Sequence, residues 1–224
     1  MPTSFRRELI FLVLAAAVGL AAFRLAGAEA RGAKLPDPAL DASPTAVTPQ
    51  VAVVAGGCFW GIQGVYQHVN GVISATSGYA GGTSATAEYE TVSSGTTGHA
   101  ESVKIVYDPS KISYGQLLKV FFSVAHDPTQ LNRQGPDTGT QYRSAIFYTD
   151  DEQRRVAEAY IKQLQGSGAF ARPIVTQVTA LPAFYPAENY HQNYLKLHPN
   201  EPYIVINDLP KIASLKATYP SLYR

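Results

Sequence analysis

The apolar and polar positions divide this chain into a leader and an interleaved series of strands and helices. Arg6 and Arg7 precede an apolar run at 9–23, and small residues with an A-x-A pattern follow at 26–30. A basic start, an apolar middle and a small-residue end read as a secretory signal over 1–30, or as an N-terminal anchor if it stays uncleaved. Residues 31–50, rich in Ala, Pro, Asp and Thr, read as a mobile linker, and the folded domain is expected over 51–224. It opens with a small, β-branched, apolar run at 51–55, which predicts a buried strand. Ile62, Val65, Tyr66 and Val69 then recur at helical spacing. Further strands are expected at 72–79 and 102–107, the second alternating in polarity and stopped by Asp108-Pro109. Ser113 is placed to cap a helix through Leu117, Leu118, Phe121 and Phe122 that ends near His126. Strands at 144–148 and 174–180 flank a helix at 152–165, capped by Asp150 or Asp151, with Gln153, Arg154 and Glu158 turned outward. A short helix is expected around 211–217. The hairpin-like neighbours at 72–107 argue against an all-parallel sheet, so the pattern predicts an α+β domain on a mixed or antiparallel sheet.

Composition narrows the chemistry. Lys and Arg number 18 against 17 Asp and Glu, a balance that does not suggest a nucleic-acid partner. A single cysteine rules out an internal disulfide, CxxC redox chemistry and a cysteine-based zinc site within this sequence.

That cysteine, Cys58, lies in Gly56-Gly57-Cys58-Phe59-Trp60-Gly61, where the first strand gives way to the first helix. Free N–H groups and the positive end of a helix dipole favour a thiolate there. The glycines are expected to let the backbone turn and a ligand come close. The alternative is a structural core cysteine, which is rarely flanked by glycines and adjacent aromatics. Glu101, in Gly98-His99-Ala100-Glu101, is read at a loop-to-strand junction. At the edge of an apolar site a carboxyl is pushed toward its protonated form and can serve as a general acid; a solvated loop glutamate is the other reading. Asp137 falls in a long turn-rich stretch at 127–140, where turn formation alone explains Pro-Asp beside glycine. Tyr142 and Arg143 follow where that stretch enters a strand. Tyr89, Tyr185, Tyr190 and Tyr194 are further polar-tipped aromatics, a residue type that mostly packs. His99 reads as a cap, and His126 and His191 lack the i+2 or i+4 partner of a metal site.

Five motifs in order, GCFWG at 57–61, GHAE at 98–101, HDPTQ at 126–130, QGPDTGTQYRSAIFY at 134–148 and FYPAENYHQNYL at 184–195, resemble the A-type methionine sulfoxide reductases. The similarity runs over about 52–223. These enzymes, the peptide-methionine (S)-S-oxide reductases, restore oxidised methionine. The resemblance implies a ferredoxin-like two-layer α+β sandwich with a mixed sheet and extended loops. It makes Cys58 the nucleophile on the sulfoxide sulfur and Glu101 the acid, with Tyr89 and Tyr142 hydrogen-bonding the oxygen. Asp137 is implied near the site, Phe59 and Trp60 as an apolar wall around the S-methyl group, and Tyr194 as a further lining residue. Many relatives carry additional cysteines that resolve the sulfenic acid, whereas this chain has Ser93-Ser94 before its GHAE segment and no cysteine after Leu195. The implied partners are oxidised proteins or free methionine sulfoxide, and an external reductant: a thioredoxin-like or glutaredoxin-like protein, or a small thiol. No bound cofactor or metal is implied. The leader makes the expected product an exported bacterial monomer, periplasmic or membrane-anchored. Two rival readings stand beside this one. A cysteine hydrolase built on Cys58 with His99 or His191 requires a histidine within hydrogen-bond reach of the sulfur. A non-catalytic, tyrosine-rich binding module would be indifferent to loss of Cys58.

Overall fold

A computed structural model describes residues 34–42 and 48–224, so the signal or anchor expected over 1–30 lies outside the described residues. The central strand is β1 (Gln50–Ala55), followed by α1 (Phe59–Gln67), β2 (Val72–Ala80) and β3 (Ala100–Tyr107). Next comes α2 (Tyr114–Val120), which runs on through a π-helical turn at Phe121–Ala125. The long polar stretch holds a two-rung hairpin, β4 (Arg133–Gln134) and β5 (Asp137–Thr138). Then follow β6 (Ala145–Tyr148), α3 (Asp151–Ser167), β7 (Gln177–Ala180), β8 (Phe184–Pro186) and α4 (Leu209–Thr218). Six strands form one sheet in the order β7-β6-β1-β3-β2-β8, antiparallel except for the parallel pair β6–β7. Its inner order, β6-β1-β3-β2, with α1 after β1 and α2 after β3, is the ferredoxin-like βαββαβ arrangement.

Burial explains the centre. Val53 and Ala55 face one side of the sheet with Ala80, Ala100, Ala145 and Phe147. Ala52 and Val54 face the main core, where Ile62, Val65, Tyr66 and Val69 of the α1 region meet Leu117, Leu118, Phe121 and Phe122. With both faces covered, β1 has no polar alternation, as its sequence required. Ser113 closes a capping box on α2: its hydroxyl accepts from Gln116 N–H at 3.1 Å, and Gln116 Oε1 accepts from Ser113 N–H at 3.1 Å.

Three expectations fail locally. Gln153 is buried, not outward; its amide donates to Val51 O at 2.7 Å and accepts from Thr149 N–H at 3.1 Å, tying α3 to β1. The strand expected over 174–180 pairs only at Gln177–Ala180, because Val175 N–H is diverted to Pro128 O. Residues 34–42 are not a mobile linker. Leu35 is 3% exposed and its N–H donates to the Tyr219 hydroxyl, while Pro36 O accepts from Tyr160 OH at 2.8 Å. Asp37 pairs with Lys119 at 2.7 Å. Asp41 accepts from Ser113 Oγ and from Gly115 N–H at 2.7 Å, a carboxylate at the positive end of α2. Composition alone hid this, since one apolar anchor and two placed aspartates hold the segment. Leu35→Ala is expected to lower unfolding free energy by about 2–5 kcal/mol, read from urea melts; an unchanged midpoint would show the segment contributes nothing.

Candidate active site

Cys58 is the N-cap of α1, with φ −52° and ψ 124°. Gly57 before it sits at φ +101°, a conformation that side chains resist. The glycines do not open the site to a ligand, contrary to expectation. A Cβ on Gly56 would lie 2.7 Å from the His126 ring, and one on Gly57 would lie 2.6 Å from Gln134 Cβ. A Cβ on Gly61 would overlap the Asp208 carboxylate. They admit the protein's own side chains against the turn.

The thiolate expectation is also corrected. Burial raises the Cys58 thiol well above its ordinary value, and the negative charges of Glu101 and Asp208 push the same way. The Trp60 N–H and the Lys211 cation favour the thiolate but lose. The Trp60 contact falls short of a capping hydrogen bond. A helix terminus is worth roughly 0.3–1 kcal/mol at most sites, whereas removing an anion from water shifts a titration by up to several units. At rest Cys58 is a thiol.

Glu101 is placed by register. β1 pairs antiparallel with β3, Val54 opposite Val103, which runs Glu101 up beside the Gly56-Gly57-Cys58 turn. It is the second residue of β3, opposite Tyr79, at the loop-to-strand junction where the sequence placed it. It is 3% exposed, and its Oε2 accepts the Phe59 N–H of the first turn of α1 at 3.0 Å. Burial pushes its pKa up to about 8; the Phe59 N–H resists and the charge of Asp137 adds to the rise. A carboxyl that keeps its proton at neutral pH is a general acid in waiting.

Around this pair stand hydroxyls and rings. Tyr89 begins a one-turn helix (Tyr89–Val92), and Tyr142 ends a 3₁₀ turn (Thr140–Tyr142); both are half-buried. Burial first, then the Glu101 charge, raises each phenol, so both keep a proton to donate. Asp137, on β5, accepts from the hydroxyl of Tyr203. Trp60 stacks on Tyr194 with ring centroids 3.8 Å apart and planes 8° apart, and meets Tyr203 edge-on at 6.0 Å. Its indole N–H donates to His191 Nδ1 at 3.1 Å. Phe59 lies deeper, its ring against Tyr79 and His191, so it floors the site beneath Trp60.

Sequence reasoning missed Tyr203, Asp208 and Lys211. Tyr203 is one of 14 tyrosines in a tail with no other chemical signal, and only its contacts with Asp137 and Trp60 single it out. Asp208 is fully buried and paired with Lys211 at 3.0 Å. The hydrolase reading fails its geometric test: among the described residues no histidine bonds the sulfur. His191 serves Trp60, His99 binds Gly82 N–H and Thr83 O, and His126 binds Phe121 O and Ser144. Nor do the described residues gather three or more His, Cys, Asp or Glu side chains as a metal would need.

Fold and site together define a cysteine-dependent enzyme of the ferredoxin-like α+β class, with a neutral acid beside its nucleophile. The chain matches the family model for peptide methionine sulfoxide reductase over residues 50–221. It is 62% identical over 174 residues to the peptide methionine sulfoxide reductase MsrA 2 of Mesorhizobium japonicum, covering 78% of this chain and 89% of that one. It is 54% identical over 188 residues to the MsrA 2 of Synechocystis, covering 83% and 88%. Among solved structures it resembles reduced Mxr1 of Saccharomyces cerevisiae, at TM-score 0.62 and 34% identity over 68% of this chain and 87% of that one. It also resembles the methionine sulfoxide reductase A of Corynebacterium diphtheriae, at TM-score 0.58 and 33% identity over 74% and 83%. The chain belongs to the peptide methionine sulfoxide reductase family and is an oxidoreductase.

The resting thiol is testable by alkylation. The pH midpoint for iodoacetamide modification of Cys58 is expected above the ordinary cysteine value. Glu101→Gln should bring it down, because Glu101 is ionised at that pH and its charge opposes the thiolate. A midpoint in Glu101→Gln equal to or above that of the parent would contradict the coupling. The same variant is expected to be more stable than the parent at pH 8. The raised pKa of Glu101 makes the folded state lose stability as pH climbs from the unfolded value near 4.5 through about 8.

Proposed function

We propose that this chain reduces methionine (S)-sulfoxide, free or in proteins, to methionine, with Cys58 as nucleophile and Glu101 as acid. The observation that carries the reading is the pairing of a buried thiol with a protonated carboxyl across the first turn of α1. Sulfoxide sulfur is a weak electrophile until its oxygen takes a proton. Glu101 donates that proton as Cys58 Sγ attacks, and the thiol proton returns to the carboxylate. The S–O bond of the sulfoxide breaks, methionine sulfur gains two electrons, and Cys58 sulfur loses two as it becomes a sulfenic acid. Because one proton leaves the thiol and one appears on the new S–OH group, the step neither consumes nor releases protons. Tyr89 and Tyr142, both held as phenols, are placed to donate to the oxygen as charge builds on it, while the Tyr203 hydroxyl is spent on Asp137. Trp60 and Tyr194 form the apolar wall for the methyl group, over the floor made by Phe59.

Cys58 is the sole cysteine, so the sulfenic acid passes to an external thiol. A first thiol attacks Sγ and expels water, leaving a mixed disulfide; a second thiol releases the oxidised reductant and restores Cys58. The apolar leader at 1–30 supports a site of action outside the cytoplasm, facing the periplasm, where a thioredoxin-like or glutaredoxin-like donor or a small thiol serves. A fusion of 1–50 to a reporter active only after export tests that placement; cytoplasmic retention would overturn it.

With dithiothreitol as reductant, the S epimer of a methionine sulfoxide substrate is expected to disappear and the R epimer to persist. Consumption of R, or of neither, sinks the reading. Cys58→Ser should abolish turnover, and Glu101→Gln should lower it by roughly a hundred- to ten-thousand-fold. Since both protons are needed, kcat/KM should fall as pH rises through about 8, the value to which burial pushes Glu101. Peroxide-treated protein should gain the mass of one oxygen on Cys58 while the reductant is withheld.

A further inference from the structure

The turn at Asn189–His191, between β8 and the one-turn helix Tyr194–Leu197, reaches the site through the His191 ring. An indole nitrogen only donates, so His191 Nδ1, which accepts from Trp60 Nε1 at 3.1 Å, carries a lone pair. His191 is therefore neutral, with its hydrogen on Nε2. That Nε2 is buried, makes no hydrogen bond among the described residues, and stands 4.0 Å from Glu188 Oε2. The imidazole is packed by Tyr190 at 4.2 Å, Tyr89 at 4.5 Å and Phe59 at 5.0 Å between ring centroids. Trp60 is otherwise held by the stack on Tyr194 and the edge of Tyr203. A stack fixes the plane of a ring and leaves it free to slide and turn within that plane. A directional bond at the indole edge removes that freedom.

We propose that His191 is a positioning residue whose neutral Nδ1 locks the in-plane orientation of Trp60 and so sets the wall that holds the sulfoxide methyl. The role rests on Trp60 being that wall. Protonation would turn Nδ1 into a donor facing another donor, and the lock would open. The titratable groups facing His191 are Glu188 from its own segment, Tyr190 beside it and Tyr89 from the facing one-turn helix. Tyr79 on β2 reaches it only through Glu188, whose Oε2 accepts the Tyr79 hydroxyl at 2.8 Å. Burial lowers the basicity of His191 and Glu188 opposes the change, so the neutral form holds until pH falls below the ordinary histidine value of 6.5.

Trp60 is the only tryptophan, so the protein's indole fluorescence reports on this bond directly. The expected result is one titration of Trp60 emission, with a midpoint below 6.5 and the fold intact by circular dichroism. His191→Gln, which offers an amide oxygen but does not titrate, should erase it. His198→Gln, removing the histidine that packs on Tyr194 at 4.2 Å, should keep it. At pH 7.5, His191→Leu should raise KM for the S-sulfoxide about five-fold, the effect of losing one hydrogen bond, with a smaller fall in kcat. His191→Gln should restore KM. A titration that persists in His191→Gln, or an unchanged KM in His191→Leu, overturns the proposal. Where His191→Leu fails to fold, the His191→Gln titration decides alone. A protein that reduces no sulfoxide yet loses its titration in His191→Gln overturns the proposed function and leaves the bond standing.

Discussion

The site depends on the antiparallel pairing of β1 with β3. That ladder carries Glu101 to the level of the turn that follows β1, where its carboxyl takes the Phe59 N–H at the mouth of α1. One hydrogen bond thereby joins the acid to the helix that presents the nucleophile. A slip of one residue in register would turn Glu101 to the other face of the sheet and leave Cys58 without a proton donor. The closed packing against Gly56, Gly57 and Gly61 serves the same end, since His126, Gln134 and Asp208 fill the space where any side chain would push the turn away.

The electrostatics follow from burial. A carboxyl and a thiol taken from water into one apolar site each resist ionisation, and once Glu101 ionises its charge makes ionisation of Cys58 harder still. The resting state is therefore two neutral acids, not a thiolate awaiting substrate. This suits a reaction that moves one proton onto oxygen and takes one from sulfur. Lys211, paired with the buried Asp208 under α1, is the nearby cation that tempers this resistance.

The aromatic side of the site is assembled from distant segments. Trp60 comes from α1, Tyr194 and His191 from the segment after β8, and Tyr203 from the stretch before α4, which also reaches back to Asp137 on β5. No single element could hold a methyl-sized wall; the tail of the chain closes it. The docked residues 34–42 perform a comparable task at the opposite end of the core, where Asp41 caps α2 and Leu35 fills a gap beside Tyr219.

Much of this was legible in the residues alone. The β-branched run before Cys58, the helical spacing after it and the Ser113 capping box are local signals, and local signals specify local structure. The motifs around Cys58, Glu101 and Asp137 were legible because each of these residues is written close to its own glycines, at 56, 57 and 61, at 98, and at 135 and 139. Three things were decided only by tertiary structure. Gln153 turned inward because β1 offered it a carbonyl, Tyr203 acquired a role because the tail folds over Trp60, and Cys58 stayed protonated because its burial outweighs one helix terminus. Each depends on what surrounds a side chain in space. Burial and charge act through distance, and the order of residues along a chain does not record distance.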